Sequence, residues 1–440
     1  MHSQSLRLQP PIDRQNPVSS VPESRSEFSR PGVFSCLGRP QGVRLALAMI
    51  LALGWQTHAD AETKLCFRFA GSLAISSVGQ SRPETRGSDK VRKAADSGDL
   101  ESMNQLGNFY QTGTGGLPRD EVQAVKWYRS AAEKGFRKSL YNLGRMYASG
   151  RGGLAKDGVR ALEYYRLAAA KGDAYAMNGI AMLSQFGSTG VPIDLSEAKR
   201  WYVAAAKLGL GLAMYNLGWM IEVNRLGPIS EAVKWYRQAA GNGVGQAMNR
   251  LGAMYESGLG GLPQDENLAA HWYILASGKN DPYGMNNLGW MCENGLGGIA
   301  KDSKQAEVWF VKAARLGNRL AMNNLGLMLE TGRAGHPIDL KKAVQWYQMA
   351  ANNGDGWSMC KLGVMSETGH GMKLSYSDAA SWYRKSAAVG DKTGMFNLGR
   401  MVESGAGGLS KDRSQAIRWY RRAAQLGDKR AKGALKRLGS

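Results

Sequence analysis

The residues of this 440-residue chain best suited to nucleophilic or metal chemistry are four cysteines and five histidines. Cys36, Cys66, Cys292 and Cys360 form no CxxC pair, and His2, His58, His271, His336 and His370 show no spacing that puts two imidazoles on one ion. No Ser/His/Asp grouping or phosphate-cradling loop accompanies them. No disulfide framework, metal, cofactor or catalytic centre is therefore expected. What the chain has in excess is positive charge, with 57 Lys and Arg against 36 Asp and Glu. Most of that excess lies in residues 89–440. It suits an acidic partner such as nucleic acid, anionic lipid or anionic polysaccharide, or else it is a solvated outer face.

The elements that must position these charges are announced by an aromatic pair. It recurs at Trp127-Tyr128, Tyr164-Tyr165, Trp201-Tyr202, Trp235-Tyr236, Trp272-Tyr273, Trp309-Phe310, Trp346-Tyr347, Trp382-Tyr383 and Trp419-Tyr420, in steps of 34 to 37 residues. A fixed period of this size means stacked supersecondary units. Basic residues flank the pairs (Lys126, Arg129, Lys199, Arg200, Lys234, Arg237, Arg384, Lys385, Arg418, Arg421, Arg422), as an outward-facing stripe should.

Residues 321–354 show the unit. Met322, Leu325, Met328 and Leu329 have helical spacing, and a Gly-rich stretch with Pro337 breaks that helix. Asp339 restarts it: an Asp stands seven residues before the aromatic pair in seven of nine repeats, an N-cap position, with Pro228 and Ser375 as the exceptions. Asp194 with Glu197 reads as a capping box. Alanine stands three residues before every pair. A Gly follows eight residues after the first aromatic, replaced once by Asn280, and these two residue types enter the left-handed C′ position most cheaply. Fifteen of the 20 methionines fall in two columns of the first helix, in phase with Leu325, and read as core rather than as a soft-metal site.

The unit resembles the Sel-1-like repeat, a relative of the tetratricopeptide repeat. The resemblance is carried by N-L-G-x-M in the first helix, the G-x-G-G loop (Gly258–Gly261, Gly295–Gly298, Gly405–Gly408), the capping Asp and A-x-x-W-Y-x-x-A-A-x-x-G. It covers about residues 90–440 and implies an all-α, right-handed solenoid of about nine helix–loop–helix repeats. Val91–Gly98 reads as a half-repeat at one end and Ala431–Leu438 as a half-repeat at the other, as solenoids require. The loop of repeat four, Val223–Ile229, is about three residues shorter than the others.

In the related repeats the exposed face of each first helix lines a concave groove that binds protein ligands. The corresponding stripe here, at i, i+4 and i+7, reads Tyr215/Trp219/Glu222, Asn249/Ala253/Glu256, Asn286/Trp290/Glu293, Asn323/Leu327/Glu330, Cys360/Val364/Glu367 and Phe396/Arg400/Glu403. Six consecutive glutamates at the ends of first helices oppose the helix dipole, so something must offset them. They read either as an acidic ladder for an extended peptide or as an ion pair repeated in every unit, and their recurrence in the family favours the second. Trp219 and Trp290 stand outside the Trp column and read as peptide hot spots or as packing against the neighbouring repeat. Asn249, Asn286 and Asn323 could hold a ligand backbone.

The first 88 residues are of another kind. Residues 1–44 are rich in Pro, Ser, Arg and Gln and read as a disordered leader. The apolar run Leu45–Leu53 is too short to cross a bilayer but suits a signal peptide, with Ala59-Asp60-Ala61 as its cleavage site; an uncleaved anchor is the alternative. Residues 62–88 read as a linker. These features favour a non-catalytic interaction scaffold of a bacterial cell envelope that binds a protein or peptide in its groove. The alternative is binding of an anionic polymer, cell-wall glycan or nucleic acid, and export would disfavour nucleic acid. Some cysteine-rich members of the family have been called β-lactamases, but this chain lacks their paired cysteines and offers no nucleophile.

Overall fold

The computed structural model of the protein describes residues 86–439. The leader, the apolar run and its cleavage site, Cys36, Cys66, His2 and His58 lie outside the described residues. Among those described there are twenty α-helices and no strand beyond an isolated bridge between Ser188 and Val191. Helix α1 (Arg86–Asp96) begins three residues inside the stretch read as linker. Nine pairs follow: α2 (Leu100–Thr112) and α3 (Glu121–Glu133), α4 (Arg137–Ser149) and α5 (Gly158–Ala170), α6 (Ala174–Phe186) and α7 (Leu195–Lys207), α8 (Gly211–Asn224) and α9 (Ile229–Gly241), and α10 (Gly245–Ser257) and α11 (Glu266–Gly278). The array continues with α12 (Pro282–Asn294) and α13 (Ser303–Arg315), α14 (Arg319–Thr331) and α15 (Leu340–Asn352), α16 (Gly356–Thr368) and α17 (Tyr376–Ala388), and α18 (Lys392–Ser404) and α19 (Arg413–Gln425). Helix α20 (Lys429–Arg437) closes it. Each helix packs on its sequence neighbours, and the result is an α-solenoid.

The local signals act as their chemistry requires. Asp302 Oδ1 accepts the backbone N–H groups of Lys304 and Gln305 at 2.9 Å, and the six other aspartates of that column cap their helices in the same way. Ser375 accepts from the Asp378 N–H, whereas Pro228 caps without a side-chain bond. The capping box at Asp194 is only half formed. Asp194 accepts the Glu197 N–H, but the Glu197 carboxylate turns away to the Trp201 indole and Arg166, because Asp194 N–H is already spent on the Ser184 carbonyl. The terminating column is left-handed throughout, and Asn280 (φ 57°) adopts the same conformation as its glycine counterparts, such as Gly317 (φ 83°). The short link of repeat four lets α8 run one residue longer than its counterparts, with Arg225 forced to φ 52°.

The aromatic pair divides its labour. The second ring is fully buried in the core of its own repeat, while the Trp is half-buried at the surface of the stack. The invariant Ala is fully buried beside it. The Gly of N-L-G is where the ring lies on the first helix: a Cβ on Gly326 would stand 2.6 Å from the Tyr347 ring, so only glycine permits that approach. The two methionine columns complete this core (Met322 and Met328 are buried). The basic residues flanking the pairs are exposed, apart from the half-buried Lys199, which pairs with Glu231 at 3.3 Å.

Candidate functional site

First helices also approach one another across repeats, as α4 does α6, α10 does α12 and α16 does α18. Their shared face carries the stripe singled out in the sequence. The structure gives the three kinds of residue on it different fates.

The glutamates are engaged internally. The hydroxyl of the buried tyrosine donates to the carboxylate of the same repeat in five of the six cases: Tyr236 to Glu222 (2.8 Å), Tyr273 to Glu256 (2.8 Å), Tyr347 to Glu330 (2.7 Å), Tyr383 to Glu367 (2.8 Å) and Tyr420 to Glu403 (2.7 Å). A cation from the next repeat or cap then closes on four of them: Arg250 on Glu222 (Nε at 2.9 Å), Lys361 on Glu330 (2.8 Å), Arg400 on Glu367 (2.6 Å) and Arg437 on Glu403 (2.7 Å). The sixth, Glu293, faces Phe310 and is held by Arg333 at 2.7 Å. These donors offset the unfavourable helix-end position. The Arg437 guanidinium holds the Glu403 carboxyl below its ordinary range, and burial pushes the hydroxyls of these five tyrosines up.

The asparagines form a ladder between repeats. The residue one position further along the next first helix reaches back to each of them: Asn142 Nδ2 donates to Asn104, Asn216 to Asn178 and Asn287 to Asn249 at 2.9 Å, and Asn324 donates to Asn286 at 3.0 Å. Asn323 is taken by Ser358 and donates to Asp355, and Asn397 donates to the buried Cys360 sulfur at 3.4 Å. Side-chain oxygens assigned in the sequence to a ligand backbone are thus spent on the stack. Tyr215 and Phe396 lie against Tyr236 and Tyr420, and Arg430 covers the Phe396 ring at 4.5 Å.

The i+4 column remains open to other partners. From repeat three to repeat eight it reads Met182, Trp219, Ala253, Trp290, Leu327 and Val364, all half-buried. Met182 extends a run that the sequence reading began only at Trp219. Trp219 leans on Phe186 of the preceding repeat at 5.9 Å, so part of its surface does pack on the neighbour. Neither indole N–H has a hydrogen-bond partner among the described residues, in contrast with Trp201, whose indole donates to Glu197. Ala253 stands between the two tryptophans, a small residue with a large one on either side. Arg400, in the same column at the next repeat, is occupied by Glu367.

The Sel1 repeat model matches nine consecutive segments: residues 100–136, 137–173, 174–210, 211–244, 245–281, 282–318, 319–355, 358–391 and 393–428. The chain belongs to the Sel1 repeat family. Sel1-repeat proteins are in general protein-interaction scaffolds and typically non-catalytic. Among solved structures, this Sel1 protein is similar to a protective antigen of uropathogenic Escherichia coli, at 29% identity over 80% of this chain and 83% of that one, with a TM-score of 0.46. It is also similar to a Sel1 repeat protein from Oxalobacter formigenes, at 25% identity over 84% of this chain and 98% of that one (TM-score 0.40). The cysteine-rich protein B of Helicobacter pylori matches 31% of this chain and 96% of its own length at 29% identity, with a TM-score of 0.26. No curated protein matches with significance. Among the described residues no group of His, Cys, Asp and Glu is arranged to hold a metal ion, and no helix is long and apolar enough to cross a membrane.

One column escaped the sequence reading altogether. At seven of ten places the residue after the terminating Gly or Asn caps the next helix with its side chain: Asp99, Asp173, Asp281, Asn318, Asp355, Asp391 and Asp428 all accept backbone N–H groups, whereas Phe136, Leu210 and Val244 do not. The recurring Gly-Asp dipeptide was the available signal. Asp281 is buried, and that burial pushes its carboxyl up to about 6.

Proposed function

We propose that this Sel1-repeat protein is a scaffold that binds a protein segment along the first-helix face, with apolar side chains of the ligand meeting the run Met182 to Val364. The approach of first helices to one another supports reading that face as the concave side. The observation that carries the proposal is the pair Trp219 and Trp290, half-buried, with unpartnered indole N–H groups and Ala253 between them. Two tryptophans flanking an alanine make a notch for one large apolar side chain, and their N–H groups suit carbonyls on the ligand backbone. Buried Trp anchors are worth about 2 kcal/mol or more each. The glutamates contribute by shaping the stack rather than by touching the ligand, so an apolar segment fits better than a basic one.

Co-purification with the tagged full-length chain is the test. W219A/W290A should lose the bound protein while keeping its helical circular-dichroism spectrum. Retrieval of the same protein at the same yield by the double variant would sink the proposal.

Export to a bacterial cell envelope belongs to the same proposal and rests on the sequence, on Leu45–Leu53 followed by Ala59-Asp60-Ala61. Fractionation should recover a form beginning near Glu62 in the periplasm. A full-length cytoplasmic form would overturn it.

A further inference from the structure

The two half-repeats that close the array differ in charge. Helix α1 has four basic residues, Arg86, Lys90, Arg92 and Lys93, with two acidic ones, Asp89 and Asp96, and Arg92 is engaged by the Tyr110 hydroxyl at 2.6 Å. At the other end, residues 411–437 hold ten Lys and Arg against two acidic residues, Asp412 and Asp428. Both aspartates are N-caps turned to backbone N–H groups of α19 and α20. Four of the cations are engaged: Arg430 with Asp428 (2.7 Å), Arg437 with Glu403 (2.7 Å), Arg413 with the Leu438 carbonyl (2.6 Å) and Arg422 with the Trp419 ring. Arg418, Arg421, Lys429, Lys432 and Lys436 are exposed and have no partner among the described residues.

The free cations lie on outer helix faces. Arg418 and Arg421 are one turn apart on α19. Lys429, Lys432 and Lys436 follow the three- and four-residue spacing of α20, whose opposite face buries Ala431 and Ala434. Like charges at that spacing repel, and a cap that only had to be soluble could mix its signs as α1 does. Counter-charge from a partner would relieve the repulsion. Between the two helices Leu426 is 46% exposed, and a shallow hollow on α19 is lined by Gln415, Arg418, Trp419, Arg421 and Arg422.

We propose that this end of the array docks on an anionic lipid bilayer. Clustered Lys and Arg are drawn to a charged membrane surface within about a Debye length. The exposed guanidiniums of Arg418 and Arg421 suit headgroup phosphates, and the largely apolar hollow and Leu426 are placed to meet the interface. Nucleic acid fits less well. The cations sit on exposed helix faces rather than along a groove that would track a strand, and Arg422 covers the Trp419 ring at 5.3 Å, where a base would have to stack. This docking uses a different surface from the tryptophan notch and leaves it free.

The test is co-sedimentation of the full-length chain with vesicles of phosphatidylcholine alone and of phosphatidylcholine mixed with phosphatidylglycerol. The chain should pellet with the mixed vesicles at low salt, pellet less at high salt, and stay in solution with phosphatidylcholine. K429Q/K432Q/K436Q and, separately, R418Q/R421Q should each weaken the association by about tenfold or more, given the contribution of each basic residue near a charged surface. Two variants on two helices keep the test decisive should one fail to fold by circular dichroism. W219A/W290A should pellet like the wild type, which separates this inference from the groove. Equal pelleting with both vesicle types, undiminished pelleting of both charge variants, or tighter binding to a DNA duplex than to mixed vesicles would overturn it.

Discussion

Repeats six and seven stand side by side and solve one problem in two ways. In repeat seven the Tyr347 hydroxyl donates to Glu330 at 2.7 Å and Lys361 completes the carboxylate at 2.8 Å. In repeat six the ring is Phe310, which offers no donor, and Arg333 holds Glu293 from the loop of the following repeat at 2.7 Å. The first helices differ at their caps as well. Asp281 opens α12 with a buried carboxylate, whereas Asn318 opens α14 with an amide that both accepts the Ala321 N–H and donates to the Pro282 carbonyl. The position thus demands a filled ring site and a satisfied carboxylate, and it accepts different donors. The column is satisfied within the stack even where its usual partner is missing.

The comparison can be broken most severely by emptying the ring site. Phe310→Ala and Tyr347→Ala should each cost about 3–5 kcal/mol in urea denaturation, since the same cavity opens in both repeats. A large difference between them would mean that the hydroxyl, not the ring, dominates repeat seven. Next is the carboxylate. Arg333→Ala leaves the nearly buried Glu293 with no donor among the described residues and should cost about 2–3 kcal/mol, clearly more than Lys361→Ala, after which Tyr347 still serves Glu330.

The caps give a pH signature. Burial raises the Asp281 carboxyl to about 6 in the folded chain, so the native state holds its proton longer than the unfolded one. The cost of ionising it is absent well below the ordinary Asp range, grows as pH rises through 4 to 6, and is complete above that window. Asp281→Asn copies Asn318 and should therefore stabilise at pH 7–8 by about 1–3 kcal/mol, with the gain fading as pH falls towards 4. Thermal melts across that range check the sign; a gain that grows on acidification would refute it. The smallest effect is the hydroxyl itself. Tyr347→Phe should cost about 1 kcal/mol, and Phe310→Tyr should gain no more than that by giving Glu293 a second donor.

Much of the fold was legible because each signal acts on the backbone within one repeat. The capping aspartates, the left-handed Gly or Asn280 column and the buried Ala column need only local geometry, and they stand where the period put them. The stripe was harder to read, because what decides its role is contact between repeats. That Asn249 accepts from Asn287, or Glu330 from both Tyr347 and Lys361, depends on how one unit stacks on the next, a distance that no spacing in the sequence states. The half-formed capping box at Asp194 has a similar cause: the Asp194 N–H is taken by the Ser184 carbonyl of the preceding helix, and Arg166 of the preceding repeat meets the Glu197 carboxylate. Trp219 and Trp290 could be singled out because they break the repetition, while Met182 and Ala253 complete their column without breaking any rule.

The most direct measurement is photo-crosslinking in living cells from a benzophenone side chain placed at Leu327, within the open column, compared with one at Arg200 on the outer face. A groove-binding scaffold should give a discrete protein adduct from position 327 that W219A/W290A abolishes and E330Q leaves intact, with none from position 200. No adduct from 327, or the same adduct from both positions, would contradict it.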